Sequence, residues 1–450
     1  MTDPTDDFRS AATGLRVPSS RLGRLARLGG VASGIAGGAM LAGAREIAHG
    51  RRPSLPQLIL TPANALRLTD QLARMRGAAM KLGQLMSMDT GDLLPPEMAA
   101  AMARLRSEAH PMPARQLKAV LAANWGPDWL RRFERFDVTP IAAASIGQVH
   151  RARTRDGRDL AIKIQYPGVR RSIDSDVDNV AALIRLSGLL PPGADPRPLL
   201  QEAKRQLHEE ADYHREGTYL ARFGALLADS PGLRVPGLHA DLTTTDVLAM
   251  DHVAGDPVEG LVQAPQAVRD RVATALVDLA LRELFEFRLM QTDPNFANYR
   301  YDAAAGSVVL LDFGATREIP APMAEGYRAL LRAGLAGDRA GVEGAGRAIG
   351  LLGPGQPRAM LDELHMLSEI AFAPLRRPGP VDVAGLGITE RLRDAGLALA
   401  AEHGPGGHLP PAEPLFIQRK LGGLFLLAHR LRARVDAHAL VQRRLAPATA

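Results

Sequence analysis

The sequence predicts an α+β protein of two lobes behind a helical N-terminal extension. Three observations predict it. β-rich runs at Ile141–Arg153 and Asp159–Gln165 are joined by a turn holding Asp156-Gly157, a strong hairpin signal. Helical patterning dominates from Ala267 onward, interrupted by one β-like stretch, Asn298–Thr316. Strands and helices are therefore segregated along the chain, unlike the alternation of a parallel βαβ sheet. At 450 residues the chain has room for such a body and its extension.

Taken in order, Met1–Ser20 is polar and reads as an unstructured tail without the charge-then-apolar order of a secretory signal. Leu28–Ala44 is uncharged, Gly/Ala-rich and flanked by Arg21, Arg24 and Arg27 on one side and Arg45, Arg51 and Arg52 on the other. Two readings stand for it: a linker or packed helix, or a short membrane segment with Gly30, Gly34 and Gly38 at small-xxx-small spacing. After the proline-rich Pro53–Ala63, apolar residues recur at helical spacing over Ala65–Leu105. Helical stretches are expected at Ser175–Leu190 and, unbroken, at Arg197–Leu227, with strand and turn over Leu233–Val258. The expected domains are 1–55 (tail and possible membrane segment), 56–132 (helical extension), 133–255 (β-rich lobe with inserted helices) and 256–450 (mainly helical lobe).

Composition removes several function classes. The chain has no cysteine, which excludes disulfides, thiolate catalysis and Cys-ligated metals. Its 12 histidines show no His-x-x-x-His pairing for a helical zinc site. Only 4% of residues are aromatic and no basic stretch is interleaved with them, so no nucleic-acid partner is expected. The net charge of +6 suits phosphates or an anionic membrane surface equally well. Of the 55 basic residues only Lys81, Lys118, Lys163, Lys204 and Lys420 are lysines. A scarce lysine marks a place where a compact ammonium does what a guanidinium does not.

Four elements point to chemistry. Val308–Leu311 reads as a buried strand that delivers Asp312 before Phe313-Gly314; a carboxylate at a strand end can hold magnesium. Asp293 precedes Asn298 by five positions, the offset between the catalytic Asp and the metal-binding Asn of protein kinases. Lys163 lies mid-strand in Leu160–Ile164, where it either meets an anionic partner in a site or reaches solvent from a sheet edge. One hairpin upstream, Ala142, Ala143, Ala144 and Ser145 stand where protein kinases carry a Gly-rich loop over the phosphates.

With these residues the chain resembles the UbiB-type atypical kinase-like family, which is associated with ubiquinone biosynthesis. The resemblance is strongest over Leu66–Glu318. Lys81-Leu82-Gly83-Gln84 is similar to the family's Lys-x-Gly-Gln signature, Glu210-Ala211-Asp212 to its Glu-x-Asp motif, and Ala142–Ser145 to its Ala-rich loop. The resemblance implies a two-lobed protein kinase-like fold whose extension covers the active site. It implies ATP and Mg²⁺ as cofactors, Asp293 in the base position, Asn298 and Asp312 as metal ligands, and Lys163 on the α/β-phosphates. Ala142 to Ser145 would cover the nucleotide, the segment Asp251, His252, Val253 and Ala254 would read adenine, and Lys81 and Gln84 would line the active site. Glu210 is the expected carboxylate partner of Lys163, with Glu202 next.

Three departures bear on function. Gln291-Thr292 replaces the His-Arg of protein kinases, and no Ala-Pro-Glu closes an activation segment. Both oppose a phospho-regulated protein kinase. Leu424–Leu427, before Arg430, is too short to span a membrane, unlike the paired C-terminal helices of some family members. The expected function is an ATP- and Mg-dependent atypical kinase or ATPase supporting ubiquinone synthesis near membrane lipid intermediates. Two alternatives stand beside it: a non-catalytic ATP-binding scaffold and a protein kinase acting in trans. Expected partners are anionic membrane lipids, quinone precursors, quinone-biosynthesis enzymes and a second copy in a homodimer. The expected location is cytoplasmic, at the inner membrane of a bacterium.

Overall fold

The computed structural model describes residues 112–186, 197–388, 391–392, 394 and 411–446. The tail, the Leu28–Ala44 segment, the helices expected over Ala65–Leu105, and Lys81 and Gln84 with them lie outside the described residues. The chain divides into two compact units, 1–217 with 238–252 and 218–237 with 253–450.

The first unit contains α1 (Ala114–Trp125), β1 (Phe133–Phe136), β2 (Ala142–Ala143), β3 (Gly147–Thr154), β4 (Asp159–Gln165), α2 (Val169–Leu186) and α3 (Arg197–Glu210). It also holds the first turn of α4 (Tyr213–Leu226), within which the division between units falls. Beyond β5 (Leu233–Arg234), which belongs to the second unit, β6 (Val247–Asp251) completes the sheet. The order is β1-β3-β4-β6, with β2 on β3, and every pairing is antiparallel. The Asp156-Gly157 turn forms as its sequence demands: Gly157, at φ 92°, donates its N–H to the Thr154 carbonyl.

One side of this sheet buries Phe133, Phe136, Ala152, Leu160, Ile162 and Ile164 with Leu117, Leu121, Trp125 and Trp129. The protein's two tryptophans are both spent here. The Trp129 ring meets Phe136 edge-on at 5.1 Å, and the Trp125 indole N–H donates to the Leu242 carbonyl at 2.9 Å. Each large aromatic side chain removed from water contributes about 2–3 kcal/mol.

In the second unit α5 (Gln266–Arg282) runs into a single π-helical turn, Glu283–Phe287, which ends at Arg288 with a left-handed φ of 48°. A bulge of this kind re-aims side chains, and Glu283 is turned into the interior. β8 (Leu289–Gln291) pairs with β11 (Thr316–Glu318), and β9 (Tyr299–Asp302) with β10 (Ser307–Leu310). β7 (Asp256–Pro257) and β5 lie on either side of that hairpin. Among the described residues the helices α6 (Ala321–Ala336), α7 (Arg339–Ala348), α8 (Arg358–Phe372), α9 (Ala412–Arg430) and α10 (Ala437–Leu445) follow, with a small β12–β13 pair (Val381–Asp382 and Arg434–Val435). Leu284, Met290, Ile319, Ala324, Tyr327, Ile349 and Ile417 form a core cluster beneath β8 and β11. Among the described residues no helix is long and apolar enough to cross a membrane.

The chain expected to be helical throughout Arg197–Leu227 breaks at Ala211-Asp212. The Ala211 carbonyl is taken by the Gln165 amide at 3.0 Å and the Arg170 guanidinium at 2.8 Å. The Asp212 carboxylate accepts from the Arg215 N–H, three residues on, and so starts a new helix.

Candidate active-site residues

Lys163 lies on β4, an interior strand paired to Val149 on β3 and Leu248 on β6. The edge-strand reading of this lysine is therefore excluded, and it needs an anion inside the protein. It has one: Nζ donates to both carboxylate oxygens of Glu216, at 2.8 and 2.9 Å, and lies 5.2 Å from the centre of the Tyr213 ring. Both members of the pair are buried. The expectation of Glu210 as partner is corrected by this geometry. Glu210 closes α3, whereas the helix break puts Glu216 in the first turn of α4 with its side chain inward. The runner-up, Glu202, is engaged by Arg205 and Gln206. The sequence signal for Glu216 was the Asp212 cap, which would have reset the helical phase.

Ala142 and Ala143 form a two-residue strand on Gln148 and Val149 rather than the helix start that alanines favour. Ala144 N–H donates to the Gly147 carbonyl, closing a tight turn that contains Ser145. Gly147 is required there. A Cβ on it would lie 2.4 Å from the Ile164 carbonyl oxygen and 2.9 Å from the Tyr213 hydroxyl.

Asp251 ends β6 and accepts from His239 Nε2 at 2.8 Å, and His252 donates its N–H to the Asp159 carbonyl. Val253 and Ala254 follow in the second unit.

In the second unit, Asp293, Asn298 and Asp312 come from a loop and a hairpin tied together by backbone. Thr292 donates its N–H and its hydroxyl to the Ala315 carbonyl, at 3.2 and 2.7 Å. Leu311 donates its N–H to the Asn298 carbonyl at 3.0 Å, bringing Asp312 next to Asn298. Asn295 caps the short turn Phe296–Asn298 by accepting from the Ala297 N–H. The Asn298 amide nitrogen then lies 3.4 Å from Asp293 Oδ2, so its oxygen faces the other way. Asp312 Oδ1 accepts from the Gly314 N–H at 2.9 Å, while Phe313 is buried against Phe223, ring centres 4.8 Å apart. A carboxylate and an amide oxygen on adjacent backbone fit a hard cation such as magnesium, which takes few protein ligands and leaves positions for phosphate oxygens.

Sequence reading missed the residues behind the loop. Lys420 on α9 is buried, with its ammonium 3.0 Å from Gln291 Oε1, 2.8 Å from the Tyr299 hydroxyl and 3.5 Å from Glu283 Oε2. Burial alone would push this ammonium down, but the charge of Glu283 and the Tyr299 hydroxyl outweigh it and hold it above its ordinary value. Burial raises the Glu283 carboxyl, against the pull of Lys420 and of the Gln291 N–H. One position earlier, Arg419 Nη2 lies 3.3 Å from Asp293 Oδ1. The scarcity of lysine was the one signal that pointed at position 420.

A lysine on an antiparallel sheet paired to a helix glutamate, and an Asp/Asn/Asp set on a loop and hairpin, define the protein kinase-like class of phosphoryl-transfer proteins. The model of the ABC1 atypical kinase-like domain matches residues 104–345, and the chain belongs to that family. It is 37% identical over 425 residues to the Saccharomyces cerevisiae protein "Atypical kinase COQ8, mitochondrial", covering 93% of this chain and 83% of that one. It is 38% identical over 431 residues to the Rattus norvegicus "Atypical kinase COQ8B, mitochondrial", covering 95% and 81%. Among solved structures, a Mycobacterium tuberculosis protein in complex with erythromycin has the same fold, with a TM-score of 0.58 at 24% identity, covering 84% of this chain and 94% of that one.

Proposed function

We propose that the chain is a UbiB-type atypical kinase or ATPase that takes Mg-ATP and supports ubiquinone synthesis beside membrane lipid intermediates. The observation that carries the reading is the backbone tie that sets Asn298 and Asp312 side by side, with Asp293 on the Asn298 amide. In this reading Asn298 and Asp312 hold magnesium, which neutralises charge on the phosphates of ATP when bound. Asp293 accepts the proton of the attacking hydroxyl or water. Lys163 pairs with the α/β-phosphates, and Glu216 keeps its ammonium aimed. Ala142 to Ser145 cover the nucleotide, and the backbone of Asp251 to Ala254 reads adenine. Lys81 and Gln84, in the extension, line the active site. The proposed partners are anionic phospholipids, phenolic quinone precursors and quinone-synthesis enzymes, at the cytoplasmic face of a bacterial inner membrane.

A phospho-regulated protein kinase is not favoured, because Thr292 replaces the arginine that would bind an activation-loop phosphate and its hydroxyl is committed to Ala315. The test is thermal stabilisation by Mg-ATP and ATP turnover, with and without anionic vesicles and a phenolic quinone precursor. Wild type should be stabilised by ATP only with magnesium, and Asp312→Asn should lose that response. Stabilisation that ignores Asp312, or its absence in wild type, overturns the reading.

A further inference from the structure

We infer that α9, a helix more than 100 residues downstream of the catalytic loop in sequence, is the template that holds this loop in its working shape, and that Arg419 is the positioning residue for Asp293. The inference rests on the reading of Asp293 as the proton acceptor. Three residues of α9 meet three consecutive parts of the loop. Lys420 binds the Gln291 side chain, Arg419 binds the Asp293 carboxylate, and Gly423 packs on Pro294. Spacings of one and four residues keep all three within about a third of the helix circumference.

Each contact has its own reason to be there. Lys420 and Glu283 are both 1% exposed, so their charges stay in the interior only as long as α9, the π-turn and β8 remain registered. The Glu283 carboxylate also accepts from the Gln291 backbone N–H at 3.3 Å, which extends the same network into the strand leading to Asp293. Gly423 is obligatory at its place, because a Cβ there would lie 2.2 Å from Pro294 Cβ. Arg419 and Asn298 put one donor on each oxygen of Asp293, at 3.3 and 3.4 Å. A carboxylate held by two donors on opposite oxygens has one orientation for taking a proton; with Arg419 removed, one oxygen loses its anchor and the group turns. The same guanidinium supplies positive charge beside a carboxylate that works near phosphates, at a loop whose position 292 is threonine rather than arginine.

The experiment measures ATP turnover and Mg-ATP thermal stabilisation for wild type, Arg419→Gln, Arg419→Lys, Asp293→Asn and the Arg419→Gln/Asp293→Asn double variant. Arg419→Gln should lower kcat roughly 10- to 100-fold with KM for ATP unchanged within about twofold, because a positioning residue for the base acts on the proton-transfer step rather than on nucleotide binding. Arg419→Lys should recover much of the loss. In the Asp293→Asn background the Arg419 change should cost nothing further, as expected of two groups that act as a unit. Should Arg419→Gln melt below the assay temperature, Arg419→Met, which keeps the apolar stem, takes its place. Unchanged kcat in a folded Arg419 variant, a rise in KM alone, or a full second loss on top of Asp293→Asn overturns the inference. Failure of the phosphoryl-transfer reading itself looks different: wild type then shows no Mg-dependent response to ATP, or Asp293→Asn turns over ATP as wild type does.

Discussion

Glu216 is defined by what a buried lysine demands. Lys163 on an inner strand cannot be left without a counter-charge, and breaking a buried ion pair leaves the other ion stranded. Glu216→Gln is therefore expected to lower folding stability by roughly 3 kcal/mol and to weaken Mg-ATP binding, as read by denaturant titration with and without nucleotide. Glu210→Gln should cost less in both. Equal losses would mean that the carboxylates share the lysine. His150 makes a second residue-scale case. Burial drives its imidazole from an ordinary 6.5 down to about 4, opposed by the bond to Asp137. The neutral ring satisfies both neighbours: Nδ1 donates to the Asp137 carbonyl, and Nε2 accepts from the Gln148 amide, whose oxygen is held by the Met112 N–H. A proton on Nε2 would face that amide's own hydrogens. The folded pKa is depressed, so between about pH 6.5 and pH 4 the unfolded chain binds a proton that the folded chain refuses. Stability should fall as pH drops through that window, by roughly 3 kcal/mol in all, and His150→Gln should flatten that part of the pH–stability curve. At this scale the sequence was informative where a motif has fixed spacing, as with Asp293, Asn298 and Asp312. It was silent on Arg419, and it flagged Lys420 only by the scarcity of lysine without giving it a partner, because the partners of both lie more than 100 residues away in sequence.

At the scale of elements, local signals decided most of what could be read. Asp156-Gly157 made its hairpin and the apolar run before Asp312 made its strand, because both are short-range effects. The Ala142–Ser145 stretch went against alanine's helical preference, since pairing with β3 overrode a propensity worth tenths of a kcal/mol per residue. The break between α3 and α4 was missed for a related reason. Continuous helical periodicity conceals a stop when that stop depends on Gln165 and Arg170 reaching a carbonyl from elsewhere in the fold. The break turns Glu216 inward, which yields a prediction for α4. Asp212→Ala removes the cap and should cost about 1 kcal/mol of stability, with a larger proportional loss in nucleotide affinity than in melting temperature. Melting and nucleotide titration of the one variant check it; an unaltered affinity would separate the cap from the placement of Glu216. Gly147→Ala belongs here too. Its Cβ would push on the Ile164 carbonyl between β3 and β4, so a loss of about 1–3 kcal/mol in denaturant melts is expected.

Over the whole molecule, the uneven use of arginine and lysine acquires a physical meaning. Among the described residues arginines carry most of the surface pairs, as in Arg158 with Asp241 and Arg376 with Glu369, and Lys204 adds one with Asp178, while two of the five lysines are buried ion-pair partners. Lys163 lies in the first compact unit and Lys420 in the second. Among the described residues each unit thus carries one buried lysine amine, while Lys118 stands exposed. Chemical acylation becomes a domain-resolved clock. Under native conditions an amine-reactive ester should tag Lys118 within minutes and leave Lys163 and Lys420 unmodified. As denaturant is raised, peptide mass spectrometry of the two sites should report when the strand-rich unit and the helical unit open. Coincident tagging would identify a single cooperative unfolding, and staggered tagging would rank the two units by the free energy each needs to open.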